Sequence, residues 1–312
     1  MSHLIIRPLS GPNDLPLFNQ LNYVLDDEYA DDLQHARRRP EWMWLALRDD
    51  HLVARAAWWG RAGAERPLLM DVLDLDPTTA DRHVVASELV RSALAAMDLT
   101  AAPPEYGRYL QAGWRNDPAQ TRELTERTAV IEHLGGRRLV ERLRLQWGPG
   151  TTSPSDSGRL TFRRPEGHGE LLDLLTRVLE GTLDEHSRAE LQTGSPRDVA
   201  TEQLDGEFPT YRGSRDWWAI GCLPRGEPVG LVIPTRNDYN SIIAYVGVLP
   251  GHRGHGYIDD LLDHGTRVLA DAGASIIKAS TDCANTPMAA AFHRRGYPTT
   301  GEEIDYVFPG SS

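Results

Sequence analysis

Cysteine is nearly missing from this chain: its 312 residues hold two, Cys222 and Cys283. Two thiols so placed offer neither a disulfide framework nor a metal-ligand spacing. Their scarcity points to a reducing interior. Long apolar runs are missing too, and no stretch approaches the length of a membrane span. The opening MSHLIIRPLS lacks the apolar core before a cleavage site that marks a signal peptide. Nor is there a basic stripe. The net charge is −12, and the short arginine runs at 36–40 and 163–165 read as solvated surface. A duplex-binding face is therefore disfavoured. The expectation is a cytoplasmic protein with no membrane and no nucleic-acid partner.

What is present is the composition of a folded protein, 40% hydrophobic and 25% charged. The length suits two domains better than one. Gly148 to Gly158, GPGTTSPSDSG, is polar and rich in Gly, Pro, Ser and Thr, as linkers are. The expected division is thus 1–147, a linker at 148–158, and 159–312. The halves share an order of elements. Each opens on a strand, HLIIRPL or RLTFRRP, followed by a helix at Leu15–Leu25 or Leu171–Leu183. Each then has a tryptophan-led hairpin, one turning at Asp49-Asp50 and one near Arg225-Gly226. A strand and a helix follow, the helices at Val84–Met97 and Ile258–Ala270, and each half closes on a short helix, a glycine turn and a strand. This is the pattern of a duplicated unit. The fold class it predicts is α/β, a mixed sheet flanked by helices.

The most informative stretch is VGVLPGHRGHGYIDDLL, Val246 to Leu262. Ser241–Leu249 is a near-continuous apolar run, as in a buried strand, and Pro250 ends it. From Ile258 the apolar positions take helical spacing, and Gly273 is placed to cap the helix. Between them lies Arg253-Gly254-His255-Gly256. Glycines permit a tight turn with bare N–H groups, and free amides at a helix start attract anions. Arg253 adds a fork that suits phosphate. The turn reads as a pyrophosphate site; a plain strand-to-helix turn is the alternative. It is not a P-loop, having no Gly-Lys-Ser/Thr, and its glycine spacing differs from the dinucleotide fingerprint. His252, His255 and Asp259 do not make a convincing metal set without a second cluster, so no metal is expected.

With its flanks, this stretch resembles the coenzyme A signature of the GNAT acyltransferase superfamily: a strand, Val-x-Pro, Arg/Gln-x-x-Gly-x-Gly/Ala, then a helix. Val248, Pro250, Arg253 and Gly256 fit, while Ile258 stands where Gly or Ala is usual. A second element, NTPMAAAFHRRGY, is similar to the superfamily's Asn-to-Gly-Phe segment at Asn285, Gly296 and Tyr297. The resemblance covers about 205–308. For 1–147 only the overall plan carries over, so two tandem GNAT-like domains are implied, the first a degenerate copy.

The resemblance implies acetyl-CoA as co-substrate. It implies coenzyme contacts at Gly247 and Val248 on the strand, at Arg253, Gly254, His255, Gly256, Tyr257 and Ile258 in the turn, and at Asn285 and Phe292 beyond. It further implies a strand amide that polarises the thioester carbonyl. Phe292 occupies the place of a tyrosine that often serves as acid, and it has no proton to give. Tyr245 and Asp282 are the candidate catalytic groups, with packing and turn-capping as their plainer readings. Glu207, Tyr211 and Trp217 form an acidic and aromatic set suited to an ammonium substrate, although tryptophans there also fit a sheet core. The leading function is direct N-acetylation of a small-molecule amine. The alternatives are a non-catalytic acyl-CoA-binding or sensing protein, and a duplicate without ligand.

Overall fold

The computed structural model describes residues 3–151 and 154–309. Of the expected linker, 152 and 153 lie outside the described residues. The chain packs into two compact units: one runs to Val140 and takes back the segment from Glu303, the other spans Glu141 to Glu302.

In the first unit, strands β1 (Leu4–Pro8), β2 (Met43–Arg48), β3 (His51–Trp59), β4 (Leu69–Leu75) and β5 (Glu105–Gln111) lie side by side in chain order. The β2–β3 hairpin turns at Asp49 and Asp50, whose φ angles of 49° and 62° are left-handed. Such angles match the twist of the flanking strands. Helices α1 (Leu15–Phe18), α2 (Tyr29–Gln34), α3 (Arg82–Ala96) and α4 (Pro118–His133) complete the unit. The expected helix at Leu15–Leu25 stops at Phe18; the chain then forms turns and a short 3-10 segment at Asp26–Glu28. One core centres on Trp58, Leu89, Tyr106 and Ile131, a second on Phe18, Tyr29, Leu45 and Leu52.

Strand β6 (Arg137–Trp147) leads out of the first unit. In the second unit come β7 (Thr161–Arg163), helices α5 (His168–Val178), α6 (Glu185–Glu190) and α7 (Pro196–Thr201), then β8 (Ala219–Cys222), β9 (Pro228–Arg236), β10 (Ser241–Val248), α8 (Tyr257–Asp271), β11 (Ile277–Asp282) and α9 (Thr286–Arg294); β12 (Thr299–Val307) begins there. The sheet order is β6-β11-β10-β9-β8-β7. Side chains alternate along β9: Leu231 and Ile233 join a core with α5, Val232 one with α8.

Element order and the mixed sheet agree with the expected α/β class. The boundaries differ from a single cut at 148–158. Residues Glu141–Trp147 of β6 pair with β11 inside the second unit. From Glu303, β12 returns to the first unit, lies beside β5, and buries Ile304, Tyr306 and Phe308 in its core. Each half therefore has its last strand completed by the other half's sequence. A polar, glycine-rich stretch marks where a chain turns, and says nothing about which strand edge its neighbours will seek.

Candidate active site

Strand β10 is held on one side by β9 over most of its length. On the other side it meets β11 in parallel register at only two positions, Ser241↔Ile277 and Ile242↔Lys278. Beyond Ile242 the two strands part. Backbone from Ala244 to Val248 then faces an open slot rather than a ladder partner. An irregularity between Ile243 and Tyr245 sits where the parting begins, as bulges commonly do beside sites. Tyr245 joins the core on the α5 side, while Val246 and Val248 pack on the α8 side. Gly247 packs closely on α5: an added Cβ would lie 2.4 Å from a methyl of Val178, which would have to move.

At the mouth of the slot Pro250 opens a short 3-10 turn, and Gly254 and Gly256 take φ of 82° and 75° before α8 begins. Both angles lie in the left-handed region that glycine enters without a Cβ penalty. Among the described residues no acceptor takes the amides of Gly254, His255, Gly256, Tyr257 or Ile258; the first amide of this run with a partner is Asp259 N, bonded to Gly256 O at 3.1 Å. Five successive free N–H groups at the start of a 15-residue helix are the arrangement that attracts an anion.

Arg253 plays a different part from the expected phosphate fork. Its guanidinium donates to the carbonyls of Val248 (3.1 Å), Glu180 (2.8 Å), Gly181 (3.3 Å) and Val178 (2.8 Å). It ties the turn to the end of α5. Asp259 and Asp260, which place negative charge in the first helical turn, are both turned to arginines. Asp259 pairs with Arg294 of α9 at 2.8 Å, and Asp260 pairs with Arg159. Ile258 packs toward the core that holds Leu262 and Ile277, so its bulk is absorbed there. His255 is exposed with its ring 5.8 Å from that of Tyr257, and His252 pairs with Glu227 at 3.2 Å. Asn285 caps α9 by accepting from Met288 N at 3.3 Å. Phe292 is buried edge-on to Tyr297, whose hydroxyl bonds Thr266 at 2.7 Å.

Asp282 ends β11 and is 1% exposed. One oxygen accepts from Glu185 N at 2.6 Å and the other lies 3.3 Å from Arg142 Nε. Burial raises its pKa, Asp184 adds to the rise, and the Glu185 amide, Arg142 and His186 oppose it. Burial likewise pushes the Tyr245 hydroxyl well above the ordinary tyrosine value, with Asp184 and Glu207 adding and Arg253 opposing. The Tyr245 ring meets Phe208 edge-on at 6.0 Å, and Tyr211 donates its hydroxyl to Glu207. Glu207, Tyr211 and Tyr245 are thus gathered on the α5 side. Trp217 is not; it packs toward the α8 core with Arg236 5.6 Å above its ring. Its neighbour Trp218 is the one that meets Phe208, at 5.6 Å. Asp184, Arg142, His186 and Arg159 were not singled out from sequence. Of these only Asp184 carries a local signal, an acidic residue at a helix N-cap, and its carboxylate accepts from Ser187 N at 2.8 Å.

The first unit has the same parted strands. Strands β4 and β5 pair in parallel only at Leu69↔Glu105 and Met70↔Tyr106. Here, however, the chain's own groups fill the place. Arg127 of α4 donates to Leu73 O at 2.9 Å and to Asp74 at 2.8 Å, and Asp74 also binds Arg55 and Arg108. In the turn after β4, Asp76 accepts from Thr78 N at 3.0 Å and from the hydroxyls of Thr78 and Thr79. A built-in carboxylate takes the amide that an outside anion would need.

Residues 182–297 match the profile of the Acetyltransferase (GNAT) family. That segment is a GNAT domain. It contains the parted strands, the free-amide turn, Tyr245, Asp282 and Asn285. Over the whole chain the fold is similar to that of a GCN5-related N-acetyltransferase from Sphaerobacter thermophilus, with a TM-score of 0.60 at 15% identity, covering 99% of this chain and 98% of that one. A tandem GNAT protein from the clavulanic acid biosynthesis pathway gives 0.51 at 13% identity, covering 97% and 98%. A GCN5-related N-acetyltransferase from Kribbella flavida gives 0.51 at 16%, covering 92% and 96%. A search of curated proteins returns no significant relative by sequence. At these identities the likeness is one of fold: two tandem GNAT-like domains. Membership of the GNAT domain in its family supports acyl-CoA-dependent acetyl transfer. Among the described residues no helix is long and apolar enough to cross a membrane.

Proposed function

We propose that this protein transfers an acetyl group from acetyl-CoA directly to the amine of a small molecule, at the GNAT domain. The observation that carries the reading is the run of five acceptor-free amides from Gly254 to Ile258 at the mouth of a slot between β10 and β11. A diphosphate suits those amides, and an extended amide-bearing arm suits the free edge of β10. The residues present fit the coenzyme, which would supply an acyl thioester. The β10 edge would orient it and give an N–H to its carbonyl oxygen. Asp282, a carboxyl whose pKa is raised by burial, accepts a proton from the acceptor ammonium. Tyr245, kept protonated by its surroundings, is the group able to return a proton to the departing sulfur, in place of Phe292. Glu207 and Tyr211 supply charge and an aromatic face for a cationic amine. No covalent enzyme intermediate is required.

The experiment is the release of free thiol from acetyl-CoA in the presence of a panel of amines. Amine-dependent release is expected. A second reading, a non-catalytic acyl-CoA-binding or sensing protein, is favoured by Phe292 and by the missing glutamate base. Uptake of acetyl-CoA with no amine-dependent release across a broad panel would establish that second reading. The acceptor is a proposal at the level of chemical class, as are a cytoplasmic setting and the absence of nucleic-acid and membrane partners.

A further inference from the structure

The free-amide turn owes its shape to a residue outside it. Arg159 lies just before β7 and about a hundred positions from the turn in sequence. Its guanidinium donates to His255 O at 3.1 Å and to Gly256 O at 3.0 Å, and pairs with Asp260 in the first turn of α8. It also covers the Tyr257 ring at 5.5 Å. The guanidinium stands over Gly256 itself, where a Cβ would meet its nitrogens at 3.7 and 3.8 Å.

In a trans peptide the C=O and the following N–H point in opposite directions within one rigid plane. A donor that fixes the carbonyl of residue 255 therefore fixes the direction of the Gly256 amide. Fixing the carbonyl of 256 does the same for the Tyr257 amide. These are two of the five free amides. Left-handed glycines on their own permit that orientation without imposing it.

Arg159 is in turn held by the segment before it. Ser157 Oγ donates to Asp260 at 2.5 Å and accepts from Arg159 N at 3.1 Å, while Gly158 N donates to Asp156 at 2.9 Å. Leu160, directly after Arg159, is buried. The stretch at 156–158, which reads as the end of a linker, is tied together with Arg159 to the first turn of α8. We infer that Arg159 is a positioning residue for the diphosphate of the coenzyme. It acts through the backbone of residues 255–257 and does not itself touch the ligand. This inference rests on the proposed function.

The test is calorimetry on the full chain with two probes: coenzyme A, which carries the diphosphate, and pantetheine, which lacks it. Arg159→Ala should weaken coenzyme A by about tenfold, the scale of a lost charge-assisted contact, and leave pantetheine affinity unchanged. Arg159→Lys, which keeps the charge opposite Asp260 but loses the two-carbonyl fork, should recover only part of the loss. It also serves where the alanine variant folds poorly. An unchanged coenzyme A affinity in a folded variant would overturn the inference, as would an equal loss for both probes. No uptake of coenzyme A by the wild-type chain would refute the proposed function itself, and this inference with it.

Discussion

His264 shows how one partly buried ring ties this fold to pH. It stacks flat on Phe162 with centroids 3.9 Å apart, and burial, with Arg267 adding, pushes its pKa down to about 4. The unfolded chain binds this proton near pH 6.5. Between pH 6.5 and 4 the unfolded state therefore holds more proton than the folded one, and stability falls as pH drops through that window. The ceiling on the loss is about 3 kcal/mol at roughly 1.4 kcal/mol per unit. Urea midpoints at pH 7 and pH 4.5 should fall less for His264→Gln than for wild type; parallel falls would contradict this.

Asp282 is the residue on which chemistry depends in the proposed function. Asp282→Asn should lower turnover by about 10²–10⁴-fold, the usual cost of losing a general base, with coenzyme affinity unchanged. A base with a raised pKa is protonated, and so idle, at the acid end. The wild-type rate should therefore fall toward low pH with a limb above the ordinary carboxylate range, and the residual rate of the variant should lack it. A limb that persists in the variant belongs to another group.

At the scale of elements, the two parted strand pairs are alike in backbone and unlike in content. In the GNAT domain β10 and β11 part beyond Ile242 and leave Ala244–Val248 without a ladder partner on the β11 side. In the first unit Arg127, Asp74 and Asp76 fill the matching place with internal hydrogen bonds. Calorimetric uptake should therefore be one coenzyme per chain, and Arg127→Ala should reduce stability without opening a second site. Two equivalents per wild-type chain would show that these internal groups yield to ligand. The turn was legible in sequence because its requirement is local: proline stops the strand, and two glycines supply angles other residues avoid. The role of Arg253 was not, since three of its four acceptors lie 72 to 75 positions away, nor was that of Arg159. Trp217 and Trp218 are adjacent in sequence and face different cores, which a composition-based reading of the acceptor pocket cannot separate. The repeat in element order was readable, but the filled slot was not, because it is made by side chains from separate elements.

At the scale of the whole molecule, the chain runs from the first unit to the second within β6 and returns within β12. Ile304, Tyr306 and Phe308 are each at most 5% exposed in the first unit's core. Burying each contributes about 1.5–3 kcal/mol, so the three together rival the ~5–15 kcal/mol stability of a typical domain. A fragment ending at Trp147 should thus fail to fold alone, and co-expression with 148–312 should restore soluble material; a cooperative thermal transition from the isolated fragment would refute this. The central claim is that the amides of Gly254 to Ile258 grip the diphosphate of an acyl-CoA. Its most direct test is a calorimetric titration of the full chain with acetyl-CoA, in wild type and in Gly256→Val, where a β-branched residue is forced to a φ of 75°. Saturable uptake by the wild type and a loss of at least about tenfold in a folded variant are predicted; no uptake, or uptake indifferent to the substitution, would contradict the account.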